Sequence, residues 1–392
     1  MLRPNSVQSF RERLAHFILK ANLYGSWVLG IFPFTFDSRR RRLHISKWIL
    51  AYGVILHLSL VISVYLPVTD NLKPINKELF DRNPLMRQLD SILSSMNDIG
   101  VPVTLLRTFW KSKELVEALN ELLMLEHHHF SKLILRDCPQ FDWYVIFKGV
   151  TPLLVTISYV LIYFGIPDYN PTIQEAFCIH VALLAVLMVV MHFHLAVIYI
   201  YRLLWIVNGQ LLDMTTRLRR GERVAPEQVK RLLFLYSRVS DINTRLAKVY
   251  DIQNTFSLLV LMLANIFMSY LLVIFWCNMN NFIMLVLISL IPQALVINLC
   301  DLCLNIASCD LPERTCEKTS RILKLFNDIE GMDKELERRI SEFSFFCSHR
   351  RLKICQLEMF NINFEMGFLI IITNILYVLF LVQFDYMNLQ LK

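Results

Sequence analysis

Apolar residues in this chain gather into long runs separated by charged segments. Seven stretches are long and apolar enough to be read as membrane-crossing helices, which need about 20 mostly apolar residues. They fall at 47–68, 84–110, 142–166, 175–206, 253–276, 281–308 and 362–384. The second is interrupted by Arg87, Asp90 and Asp98. An eighth apolar stretch, 14–36, is broken by Lys20 and followed by the run Arg39 to Arg42. It lacks the small-residue cleavage site of a signal peptide, so we read it as an interfacial or re-entrant helix on the cytoplasmic side. Two connecting segments have helical periodicity. In 226–251 the apolar positions Val229, Leu232, Leu233, Leu235, Tyr236, Val239, Ile242, Leu246 and Val249 recur at helical spacing. The segment "DKELERRISEFSFFC" is mixed-charge and amphipathic. Helices that expose an apolar stripe to water need a partner, so both are expected to pack on each other and on other subunits.

Composition agrees with the pattern: 55% of the 392 residues are hydrophobic and 19% charged, where soluble domains carry about a quarter charged. The fold class expected is an all-α polytopic membrane protein in one domain. It divides into an N-terminal region 1–46, a helical bundle 47–308, cytoplasmic anchor helices 309–361 and a last span 362–384.

Charge sets the orientation, because Lys and Arg accumulate in cytoplasmic loops. The segment before the first span holds Arg3, Arg11, Arg13, Lys20 and Arg39 to Arg42; the connections after the fourth and sixth spans hold nine and ten basic residues. The segments "PDYNPTIQEA" and "CNMNN" hold none. The N-terminus is therefore expected in the cytoplasm and, after seven crossings, the C-terminus outside. The net charge of +7 lies beside apolar spans rather than on a soluble face, which argues against a nucleic-acid partner and for the lipid bilayer.

Candidate chemistry is sparse. Nine cysteines are scattered through spans and cytoplasmic segments, unlike a secreted disulfide framework. Cys300 and Cys303 form a C-x-x-C inside an apolar helix without a second ligand pair. His127, His128 and His129 are consecutive and point in different directions on a helix, so they suit a solvated face better than a metal site. No metal site, cofactor or enzymatic motif is expected: H-E-x-x-H, G-x-S-x-G and an intramembrane Asp pair are all missing. His192 and His194 lie inside the fourth span, where an ionisable residue is a functional candidate by default. One is expected to face the bundle and the other the lipid or a neighbour.

Near the end of the last span, Tyr377, five apolar residues and Gln383-Phe384 reproduce a spacing. It resembles the C-terminal signature of insect gustatory receptors, Thr-Tyr-(five apolar)-Gln-Phe, with Leu376 in the place of the Thr. The N-terminal "LYGSWVLGIFPFTFDSRRRRL" is similar to a bitter-type branch of the same family. The resemblance covers nearly the whole chain. It implies a tetrameric, ligand-gated cation channel, homomeric or with co-receptor subunits, whose last span lines a central pore. The implied location is the plasma membrane of gustatory neurons, and the implied ligands are small-molecule tastants. Ile372, Leu376, Leu379 and Gln383 share one helix face, so fourfold symmetry would stack apolar rings under a ring of amides, with Phe384 beside it. The resemblance also implies a ligand pocket in the outer bundle, whose candidate lining is Tyr159, Tyr163, Phe177, His180, Tyr270, Trp276 and Phe282, with Phe164 and Phe275 near them. Aromatic walls with a few polar tips suit an amphipathic small molecule. The alternatives from other classes are a seven-span transporter and a G-protein-coupled-type receptor. The latter fits poorly with a cytoplasmic N-terminus and with the missing Asp-Arg-Tyr and Asn-Pro-x-x-Tyr patterns.

Overall fold

The computed structural model describes residues 10–37, 39, 41–65, 84–133, 138–165, 173–277, 282–350 and 352–390. Helices form at all seven apolar stretches: α2 (Lys47–Tyr65), α3 (Pro84–Trp110), α5 (Pro139–Gly165), α6 (Ile173–Arg219), α8 (Asp251–Cys277), α9 (Phe282–Lys324) and α11 (Phe364–Gln390). Five of them are long and apolar enough to cross a membrane, namely those of the third to seventh stretches. The helix of the second stretch has the predicted bounds, charges included.

The first departure from the all-α expectation comes at the N-terminus. Helix α1 (Phe10–Val28) takes up only part of the 14–36 stretch. Gly30, at φ 66°, turns the chain out of the helix, and Ile31 N donates back to Ser26 O (3.1 Å). The chain then forms an antiparallel hairpin of β1 (Phe34–Asp37) and β2 (Arg42–Ile45) with Phe34 opposite Ile45. Arg39 and Arg41 therefore lie in the hairpin connection and Arg42 begins its second strand. Asn120 of α4 (Ser112–His128) holds it, accepting from Leu43 N (2.7 Å) and donating to Leu43 O (2.9 Å). A second small hairpin pairs β3 (Cys355–Gln356) with β4 (Phe360–Asn361) just before α11.

Helices α6 and α9 continue well beyond the bounds expected for the fourth and sixth spans, ending at Arg219 and Lys324 rather than near 206 and 308. Their lower halves join the two amphipathic helices. Helix α7 (Pro226–Val249) starts with Pro at its first turn, where a missing N–H costs nothing. It buries every predicted stripe residue except the half-buried Leu233. Helix α10 (Lys334–His349) buries Leu336, Ile340, Phe343 and Cys347. The main core is built here, around Tyr236, Phe343, Leu204, Val207 and Leu246. Tyr236 Oη donates to Cys316 Sγ (2.8 Å), and burial raises the phenol well above its ordinary range. Burial likewise pushes the Cys347 thiol up to about 12. These connecting segments are thus a packed layer continuous with the long helices α6 and α9.

Candidate ligand site and pore helix

The predicted aromatic lining separates into groups. Tyr159, Tyr163 and His180 come together where α5, α6 and α9 meet. Asn298 Nδ2 of α9 donates to Tyr159 Oη (3.2 Å). The Tyr163 ring meets His180 edge-on, with centroids 5.2 Å apart, and Phe164 at 5.9 Å. His180 is buried, its Nδ1 donating to the Ala176 carbonyl (2.6 Å). Tyr159 and Tyr163 lie one turn apart on α5, so Tyr159 meets α9 through Asn298 and Tyr163 meets α6 through His180. Phe177 is 65% exposed. Tyr270 is fully buried elsewhere, packed with Ile266 of α8 and Leu381 of α11 beside Leu85 and Leu89 of α3. Trp276 and Phe282 fall on helical backbone, but their side chains lie outside the described residues, as does that of Phe275.

Below the aromatic group, α5 carries Pro152. Its ring removes the backbone bond to the Lys148 carbonyl. The Thr151 hydroxyl takes that place, donating to Lys148 O (2.9 Å), so the helix continues through the proline.

Helix α11 presents two unlike faces. Gly367, Ile370, Asn374, Leu381 and Asp385 are buried, and Leu381 packs in the cluster it shares with α8. Ile372, Leu376, Leu379 and Gln383 are exposed on the opposite side, and Phe384, half-buried, lies between the two. Only 17% of the apolar window of α11 is buried within the chain, against 61% for α6. An apolar helix this open is covered by lipid or by another chain.

Both intramembrane histidines are engaged by protein, so of the two alternatives, lipid or a neighbour, it is a neighbouring helix that each one meets. His192 Nε2 donates to Ser26 Oγ of α1 (2.6 Å), whose hydroxyl is committed to Asn22 O (2.6 Å). His194 Nδ1 donates to Ser308 Oγ of α9 (2.7 Å), whose hydroxyl is committed to Asn305 O (3.0 Å). The reason is helix packing: α6 is wrapped by α1 on one side and by α9 on the other. His127 sits against the Arg41 guanidinium (2.6 Å) and His129 against the Phe234 ring (6.0 Å). Among the described residues no group of three His, Cys, Asp or Glu could hold a metal ion.

The sequence reading missed one constellation. Lys148 of α5 is 3% exposed, and its Nζ donates to Asp301 Oδ1 (2.5 Å) and to Asn305 Oδ1 (2.5 Å). Asn305 Nδ2 closes the triangle on Asp301 Oδ2 (3.2 Å). The signal was present: a Lys and an Asp inside apolar spans are functional candidates on the same ground as the histidines.

These features have counterparts in known proteins. A model of the family described as 7tm Chemosensory receptor matches residues 19–388. "Putative gustatory receptor 22a" of Drosophila melanogaster is 56% identical over 392 residues, the full length of both chains. "Gustatory receptor for bitter taste 22e" of the same species is 42% identical, covering 99% of this chain and all of the relative. The solved structure of the insect olfactory receptor OR5 from Machilis hrabei in complex with eugenol superposes with a TM-score of 0.68. It covers 95% of this chain and 99% of its own at 13% identity, a likeness of fold. With several membrane-length apolar helices and these relatives along its whole length, the chain is a multi-pass membrane protein and belongs to the insect gustatory receptor family.

Proposed function

We propose that this chain is a subunit of a ligand-gated cation channel that detects bitter small molecules at the plasma membrane of gustatory neurons. The observation that carries the reading is the exposed face of α11. Ile372, Leu376, Leu379 and Gln383 are exposed although the helix is apolar and of membrane length. Four such helices around an axis would give apolar rings that close by dewetting and an amide ring that replaces part of an ion's hydration shell. The bitter assignment is supported by the relative named for bitter taste and by the N-terminal segment. The subunits would assemble through the cytoplasmic layer, where Phe234 and Phe345 are exposed beside Phe346 along a groove between α7 and α10. Seven crossings with a cytoplasmic N-terminus follow from the basic connections. Tyr159, Tyr163 and His180 would contact the ligand, which shifts the equilibrium only by its differential affinity for the open arrangement.

The test is whole-cell recording from cells expressing the chain, alone and with candidate co-receptors, against a panel of bitter compounds. Gln383→Ala and Gln383→Glu are compared with wild type. A ligand-evoked current with permeability ratios altered at position 383 is the expected result. A current insensitive to position 383 would move the pore away from α11.

A further inference from the structure

Four polar residues of α9, namely Asn298, Asp301, Asn305 and Ser308, are buried and spaced three, four and three apart, so they form one stripe on a single helix face. Every rung is engaged. Asn298 reaches Tyr159, Asp301 and Asn305 share Lys148, and Ser308 accepts from His194. The top rung thus touches the outer aromatic group. The Lys148 rung lies toward the other end of the span, roughly 25 Å along α5 from Gly165 at 1.5 Å per residue. Beside Asn305, on a different face, Ile306 meets Gly367 at the start of α11. A Cβ at Gly367 would lie 2.7 Å from Ile306 Cδ1, so α9 and α11 are in close approach at this level.

We propose that this polar stripe is the coupling element between the outer aromatic group and α11, with Lys148 as the positioning residue that holds α9 in register. The inference rests on the channel reading for its functional meaning. A buried ion pair adds little net stability over an apolar pair of the same shape, because desolvation offsets the attraction. Its best-attested use is to specify register, since a slip strands a charge without a partner. Here Lys148 finds both Asp301 and Asn305 only at one axial and rotational setting of α9 against α5. A ligand that moves Tyr159 pulls on Asn298. A shift of α9 by one rung would carry Ile306 past Gly367 and release the lower end of α11.

The experiment places a reporter on α11 and perturbs the stripe. The full chain carrying Met387→Cys, a position 57% exposed, is reconstituted in nanodiscs. Alkylation of residue 387 by a polar maleimide is followed per peptide by mass spectrometry. Asp301→Asn and Lys148→Met are each expected to change the rate at least threefold. The exchanged pair, Lys148→Asp with Asp301→Lys, is expected to return it to within twofold of the parent. In cells, the same single variants are expected to raise the fraction of current present without ligand. Folded single variants that leave the labelling rate within twofold overturn the proposal and leave the stripe a packing feature. If a charge variant fails to fold, Asn298→Ala and Asn305→Ala, which strand no carboxylate, decide by the same criterion. A wild type without current under any condition defeats the channel reading, while the labelling rates still decide the coupling.

Discussion

Replacing Gly53 by Ala should destabilise the protein, while the same replacement at Gly25 should not. Both glycines are helical, Gly53 in α2 and Gly25 in α1. Each substitution therefore gains the same helix propensity, about 0.5–1 kcal/mol. Their surroundings differ. A Cβ on Gly53 would sit 2.1 Å from the Gly30 carbonyl oxygen, 3.1 Å from its carbon and 3.0 Å from Phe109 Cε1. A carbon and a carbonyl oxygen normally stay about 3.3 Å or more apart. The obstacle is backbone, so no side-chain rotation relieves it. The neighbouring turn is also pinned, by Tyr52 Oη donating to Val28 O (2.7 Å) and by the positive φ of Gly30. The helix must withdraw by about 1 Å, and overpacking of this kind costs about 1–3 kcal/mol, occasionally more. On Gly25 the Cβ would meet only Met188 Cε at 3.4 Å, an ordinary contact. The propensity gain cancels between them, so the two variants should differ by the overpacking cost, about 1–3 kcal/mol. At about 2 °C per kcal/mol for a chain of this size, that is several degrees in Tm. The assay is thermal loss of the monodisperse peak of the fluorescently tagged full chain in detergent. If Gly53→Ala melts within about 1 °C of Gly25→Ala, the start of α2 does not dock against the turn at Gly30.

Four further outcomes concern the connecting segments between the spans. Cys347, its thiol pushed up to about 12 by burial, should resist maleimide at pH 7.5 in the folded chain, whereas exposed Cys355 should react; comparable labelling of both would refute the packing of α10. Phe343→Ala, deleting a fully buried ring 5.4 Å from Tyr236, should cost about 3–5 kcal/mol and most of the surface expression. Phe345→Ala, at a ring 66% exposed, should leave monomer stability nearly unchanged and weaken assembly on native gels. Desolvation and the neighbouring Arg41 hold His127 below its ordinary value. The unfolded chain therefore binds that proton first, and the contact with the hairpin tip should weaken as pH falls below about 6.5. Hydrogen exchange across 34–45 should be faster at pH 5 than at pH 7.5, and equal rates would remove His127 from the docking of the hairpin.

The stretches that became helices were legible because helix formation is local. An apolar run of about 20 residues, or a 3.6-residue stripe such as Val229 to Val249, has its backbone hydrogen bonds within the segment and needs no knowledge of the rest. The likeness to gustatory receptors was legible for a similar reason, since Tyr377 and Gln383-Phe384 sit within two turns of one helix. What the sequence could not decide is which faces meet. The aromatic residues read as one lining, but Tyr159 bonds Asn298 and Tyr163 meets His180, while Tyr270 packs with Leu381 of α11. The hairpin at Phe34–Ile45 depends on Asn120, and its arginines looked like a simple topology signal until that contact formed. Lys148 and Asp301 are 153 positions apart, and each alone is an unfavourable charge in an apolar run. Only the packing of α5 against α9 brings them together, because the low dielectric that makes either charge costly by itself also makes their pairing at one register strongly preferred.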